Sequence, residues 1–204
     1  MSITLATLEP ISKIVYYGPE TLNLRETLDV AHDFILSEDK SAVRVLEEDA
    51  ASFDFVTSLT LGNYRVRFQP HSMPKSRENE SLRKRVLEGL DGVVFVADVR
   101  PSNAAKTLQA WNSLKFELTA VHGEWKKIPI VIQLPAGASP YDPDARGLRA
   151  LLGINAPLVD MRGGVGPTLK RVMDLTVWKT DPSNAQSSRA PGFFWRDEAP
   201  SLSL

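Results

Sequence analysis

The chain has 204 residues, 43% apolar and 24% charged, which suits one ordinary α/β domain able to bury its own core and argues against bulk disorder. A formal net charge of −1 lacks the basic excess of a nucleic-acid binder, so no nucleic acid is expected as a partner. With no cysteine there is no disulfide, thiolate ligand or thiol nucleophile, and His32, His71 and His122 lack metal-ligand spacing, so no histidine or thiolate metal site is expected.

The opening MSITLATLEP has neither a basic start nor a long apolar run, and no apolar stretch approaches ~20 residues. A cytoplasmic protein without signal peptide or membrane span is expected. Residues 13–17 read as a short buried strand closed by Gly18-Pro19. Over residues 21–36, Leu24, Leu28, Ala31 and Ile35 recur at helical spacing. Residues 56–61 and 64–68, joined by Gly62-Asn63, predict a β-hairpin, because Gly-Asn supplies the positive φ of tight turns. Leu82, Val86 and Leu90 mark a basic amphipathic helix, and residues 75–85 hold five basic side chains against two Glu.

Residues 93–97 form the clearest strand, ending at Asp98. After Pro101, a Ser102 or Asn103 cap opens a helix whose Leu108, Trp111, Leu114, Leu118 and Val121 make one apolar stripe. Residues 128–134 are another buried-type strand, stopped by Pro135, and residues 142–152 a short helix. Residues 158–161 are the last strand, followed by Gly163-Gly164-Val165-Gly166 and a helix over residues 167–179. This order predicts an α/β fold: a mostly parallel six-stranded sheet with one antiparallel hairpin and helices on both faces.

The domain is expected to span residues 1–179. Residues 180–204, rich in Ser, Pro, Asn, Ala and Gln, read as a flexible C-terminal tail. That tail carries Phe193, Phe194 and Trp195, and two readings stay open: it folds back on its own domain, or it is a short docking motif.

The stretches "KIVYYGP" (residues 13–19) and "EGLDGVVFVAD" (residues 88–98) resemble the first and fourth strands of the bacterial MglA family, small Ras-like GTPases of cell polarity and motility. "DFVTSLTLG" (residues 54–62) and "KIPIVIQ" (residues 127–133) are similar to its second and fifth strands. The resemblance covers residues 12–177 and implies a Ras-like P-loop GTPase fold.

The chemistry of such a fold can be checked motif by motif. A phosphate loop, G-x-x-x-x-G-K-[ST], needs inward-turned backbone N–H groups, a Lys on the phosphates and a hydroxyl on Mg²⁺. Counted from Gly18, its last three positions hold Asn23, Leu24 and Arg25. Asn tolerates a left-handed backbone, which would let the loop keep its shape. Leu24 cannot neutralise phosphate, and Arg25 repels Mg²⁺. Asp98 stands where a strand-end Mg²⁺ ligand could, but with no second ligand it reads as a strand-end or capping carboxylate. The resemblance places a Pro-Gly-Gln switch, which senses the γ-phosphate and positions water, at Pro74, Lys75 and Ser76; only the Pro is present. The guanine-reading [NT]-K-x-D becomes Pro135, Ala136, Gly137 and Ala138, without a polar side chain. Gly163–Gly166 alone matches the family's Gly-Val-Gly loop.

Losses at three separate points of one pocket imply a degenerate family member, a pseudo-GTPase with no GTP hydrolysis and no bound cofactor. The expected role is a protein–protein adaptor or regulator, with a true MglA-like small GTPase or a Roadblock/LC7-type regulator as partner. The expected contact surface is the hairpin over residues 54–68 with the segment over residues 75–85, including Phe55, Tyr64, Arg65, Arg67, Arg77 and Arg83, supplemented by Phe193, Phe194 and Trp195. The alternative is an atypical GTP/GDP-binding small GTPase with a non-standard phosphate loop that uses Arg25 and the Gly163–Gly166 loop. A third reading is a structural subunit of a polar or motility assembly.

Overall fold

A strand covered by helices on both faces must be apolar on both, and the sequence offers three such runs, which become the centre of the sheet. The computed structural model describes residues 10–38, 43–46, 50–61, 64–74, 79–135, 137–154, 156–161 and 164–180. In chain order the elements are β1 (Ile11–Tyr17), α1 (Leu24–Glu38), β2 (Val43–Leu46), β3 (Ala51–Leu61), β4 (Tyr64–Ser72), α2 (Glu80–Leu87) and β5 (Gly92–Val96). Then follow α3 (Ala104–His122), β6 (Ile130–Gln133), α4 (Pro143–Leu152), β7 (Leu158–Val159) and α5 (Gly166–Thr180). No described helix is long and apolar enough to cross a membrane.

The sheet order is β2-β3-β4-β1-β5-β6-β7. β1 lies parallel to β4 and β5, β5 to β6 and β6 to β7, while β3 runs antiparallel to both β2 and β4. The sheet therefore has seven strands where six were expected. The additional one, β2, is four residues long, pairs with Ala51–Asp54 and leaves Val45 half exposed. The hairpin arms flank Gly62-Asn63 as the turn chemistry predicts, but both extend farther from it than expected, to Ala51 and to Ser72. The turn residues themselves lie outside the described residues.

Alternation along β1 divides the interior. Val15 and Tyr17 face a layer built with α2, α3 and α4, which holds the buried Phe95, Trp111, Leu114 and Leu118. Ile14 and Tyr16 face the layer of α1 and α5, with Leu28, Phe53, Phe68, Val94 and Leu169. Trp111 stands edge-on to Phe95 at 5.2 Å and donates its indole N–H to the Leu152 carbonyl at 2.9 Å, tying α3 to the end of α4.

Candidate functional site

In open α/β sheets, ligands bind beyond the carboxyl ends of the strands, where the loops after β1, β4, β5, β6 and β7 gather. The first of these loops closes on itself. The Leu22 N–H donates to the Pro19 carbonyl at 3.0 Å, and the Asn23 side-chain oxygen accepts from the Glu26 N–H at 3.3 Å. Asn23 is thus the N-cap of α1, and it occupies one of the backbone donors that a helix start would otherwise offer an anion. Among the described residues no non-glycine has positive φ, so Asn23 does not take the left-handed backbone that would preserve a phosphate-loop shape. The capping role explains the difference, because an N-cap needs no positive φ.

Gly18 has a packing reason to be glycine. A Cβ there would stand 2.7 Å from the Val96 carbonyl oxygen, so β1 and β5 could not approach as they do. Leu24, which the sequence reading set against a phosphate-binding Lys, packs half-buried against both core layers, and Arg25 is exposed beside it. Residues of this loop, with Met73, Pro74, Arg83 and Lys106, enclose a cavity of about 150 Å³. Small-molecule sites usually run to about 300–1,000 Å³.

Asp98, at the end of β5, is 2% exposed. Its two oxygens accept from Arg100 Nε at 2.8 Å, an Arg100 terminal nitrogen at 2.5 Å and Asn103 Nδ2 at 2.7 Å. The Arg100 backbone N–H adds a bond at 3.2 Å and the Thr21 hydroxyl one at 3.4 Å. The Arg100 hydrogen bonds, outweighing desolvation, hold the carboxyl at about 2, below its ordinary 3.8. The carboxylate is therefore spent on a neighbouring cation, in the strand-end role read from the sequence. Among the described residues no group of three His, Asp or Glu is placed to hold a metal ion.

Arg83 is the centre of a second closed network. Its guanidinium bonds both Glu117 carboxylate oxygens at 2.8 and 3.1 Å, the Tyr17 hydroxyl at 2.9 Å and the Pro74 carbonyl at 2.8 Å. The Tyr17 hydroxyl in turn donates to Glu117 at 3.1 Å, and Arg83 lies 5.5 Å from the centre of the Tyr17 ring. The Arg83 side chain is 12% exposed, so it is a strut joining β1, α2, α3 and the chain after β4 rather than the free interface cation expected from the sequence. Tyr17 and Glu117 were missed for the same reason: no local pattern links positions 17, 83 and 117. Of the expected switch, Lys75 and Ser76 lie outside the described residues.

At the other end of the crevice, the Ala138 N–H donates to the Pro135 carbonyl at 3.2 Å and Gly137 has a φ of +87°, while Ala138 packs against the α3–α4 layer. Ala136 lies outside the described residues, as does Gly163. Gln133 is buried just before this turn, and its side-chain oxygen has no protein partner in the described structure. Gly166 also answers to packing, since a Cβ there would overlap the Phe34 ring of α1.

The remaining interface expectations divide. Phe55 is buried, stacked between Phe53 and Phe68 at 5.7 and 6.0 Å on the α1 side, and cannot anchor a partner. Arg67 is half exposed and paired with Asp54 at 2.7 Å on the opposite face of the hairpin. Tyr64 and Arg65 lie in β4, but their side chains are outside the described residues, as are Arg77, Phe193, Phe194 and Trp195. The hairpin is also not a bare edge: β2 covers Ala51–Asp54 of β3, and among the described residues only positions 55–61 lack a strand on that side.

No protein-family model matches the chain. The chain is similar to the mutual gliding-motility protein MglA of Myxococcus xanthus (strain DK1622), with 32% identity over 126 residues. The match covers 59% of this chain and 65% of that relative, so the chain spans less than two thirds of the relative's length. This likeness agrees with the resemblance read in the strands. A mixed sheet with helices on both faces, and β1 running through a turn into α1, is consistent with a P-loop NTPase-like α/β fold.

Proposed function

We propose that the chain is a Ras-like pseudo-GTPase that works as a protein–protein adaptor or regulator. The observation that carries this reading is Asp98: the carboxylate at the metal position is already saturated by Arg100 and Asn103. The Asn23 cap and the apolar Leu24 support it from the phosphate side. With no nucleotide to sense, the loops around the crevice hold one arrangement, and the outer surface becomes the working part. The name of the M. xanthus relative suggests gliding motility as the setting. A true MglA-like GTPase or a Roadblock/LC7-type regulator is the partner class we favour, meeting the half-exposed Arg67 face of the hairpin. Residues 1–179 act as the domain and residues 180–204 as its appendage.

Thermal-shift titration of the purified full chain tests the nucleotide half of the proposal. A real ligand at a hundred times its dissociation constant stabilises by about 2.7 kcal/mol, or roughly 5–11 °C for a domain of this size. The expected result with GTP or GDP and Mg²⁺ is no shift. A magnesium-dependent shift of several degrees sinks it and favours the atypical GTPase. Affinity capture with purified small GTPases and Roadblock/LC7-type proteins tests the partner half, and Arg67→Glu should weaken the capture.

A further inference from the structure

The helices α2 and α3 part to leave a second, much larger hollow on the face away from α1 and α5. It encloses about 870 Å³, and Leu87, Leu108, Phe116 and Val121 supply its apolar lining. Phe116 is 76% exposed, a large apolar side chain standing in the open beside a hollow big enough for several aromatic rings. We propose that this groove is the docking site for the chain's own Phe193-Phe194-Trp195 segment.

Reach is the first argument. Thr176 of α5 lies against Gly92 at the start of β5, where an added Cβ would meet the Thr176 methyl at 2.6 Å. Leu87, at one end of the groove, precedes Gly92 by five residues, so it lies within about 18 Å of it. From Thr176 the helix runs one more turn, about 6 Å, to Thr180. Allowing about 5 Å across the Thr176–Gly92 contact, the path from Thr180 to the groove is no more than about 30 Å. Thirteen residues separate Thr180 from Phe193, and an extended chain of that length spans about 43 Å. The triad therefore reaches the Leu87 end of the groove, with about 13 Å of chain left for passing round the end of the sheet.

Chemistry is the second argument. The residues between Thr180 and Phe193 are small or polar, so three consecutive aromatics are the densest apolar part of that segment and gain most from leaving water. Arg196, Asp197 and Glu198 follow at once, and the groove's rim carries exposed Glu80 and Lys84, which offer both signs of charge to them. Tethering supplies an effective concentration of roughly millimolar, so a contact with a dissociation constant of about 0.1 mM is mostly closed. The docked segment covers a face of α2–α3 that a partner would otherwise meet, and it can be displaced by a stronger apolar ligand. None of this depends on whether the crevice binds a nucleotide.

The chain has no cysteine, so a single Gly192→Cys in the full-length protein takes one nitroxide label beside the triad. The expected result is paramagnetic broadening of amide resonances that is strongest along α2 and α3. Phe116→Arg, exposed enough to leave the fold intact, should abolish the broadening, as should replacing Phe193, Phe194 and Trp195 by Ser. Broadening strongest elsewhere, no broadening, or broadening indifferent to Phe116→Arg overturns the proposal. So does broadening that appears only when labelled chain is mixed with isotope-labelled, nitroxide-free chain, because a second copy then fills the groove.

Discussion

Replacing Arg83 by Ala separates two roles that the sequence alone would confuse. As a surface contact, Arg83 would be worth little to the fold, since exposed ion pairs contribute about 0–1 kcal/mol. In the structure it is 12% exposed, its partner Glu117 is 25% exposed, and one guanidinium also holds the Tyr17 hydroxyl and the Pro74 carbonyl. Removing one member of a buried pair costs about 3–5 kcal/mol because the other charge is left unpaired. Water reaching the partly exposed Glu117 relieves some of this, so we expect a loss of about 2–4 kcal/mol. For a domain of this size that lowers Tm by roughly 4–16 °C. Urea melts of Arg83→Ala, Glu117→Gln and the double variant measure it, and the cycle should return a coupling of about 1–3 kcal/mol. A loss below about 0.5 kcal/mol with additive single effects would refute the strut. If partner capture then fell while stability held, Arg83 would return to the interface.

Gly18→Ala should destabilise the fold by about 1–3 kcal/mol in urea melts, because the obstructing atom is the Val96 backbone carbonyl and cannot swing away; a neutral result would show that β1 and β5 can part freely. His71 is held neutral to about pH 4, against an ordinary 6.5, by burial and then by the Lys13 charge. Its folded value lies below its unfolded one, so its contribution is complete above about pH 6.5 and is lost as pH falls toward 4. His71→Gln should flatten the stability profile across that window, and an unchanged slope would contradict the burial. Asp98 acts lower: its contribution is complete above about pH 4 and is lost as pH falls toward 2, so acid melts of Asp98→Asn should lack that final step.

How far the sequence could be read depended on how local each cause was. Strand β5 and helix α3 were plain, since a doubly covered strand is apolar throughout and a packed helix repeats its stripe every three or four residues. Strand β2 was not: only four residues long, with acidic residues just after it and Val45 half exposed, it owes its existence to pairing with β3. Phe55 was named as an interface residue without the alternation of its strand being followed, since the strand was read only from residue 56. Started at Ala51, the same alternation puts Phe53 and Phe55 together on the α1 side. Asp98 was read as a strand-end carboxylate, but its partner Arg100, two residues on, was not picked out. The Arg83–Glu117 pair spans 34 residues and two helices, and no periodicity announces it.

The state of the crevice follows from where its polar groups already point. A site built for a triphosphate keeps donors and a metal-binding carboxylate waiting, whereas here several of the crevice's polar groups are engaged within the chain. Asn23 holds the Glu26 N–H, Arg100 and Asn103 hold Asp98, and Arg83 holds Pro74, Tyr17 and Glu117. A ligand would have to displace these bonds before gaining its own. Two charge-assisted hydrogen bonds, at about 1.5–3 kcal/mol each, already amount to some 3–6 kcal/mol, or about two to four orders of magnitude in affinity. Leu24→Lys would add at most one phosphate contact of about the size of one of those bonds, and the new side chain must leave the apolar contacts that Leu24 now makes. One substitution therefore leaves most of these bonds in place, because they are distributed over the starts of α1 and α2 and the end of β5.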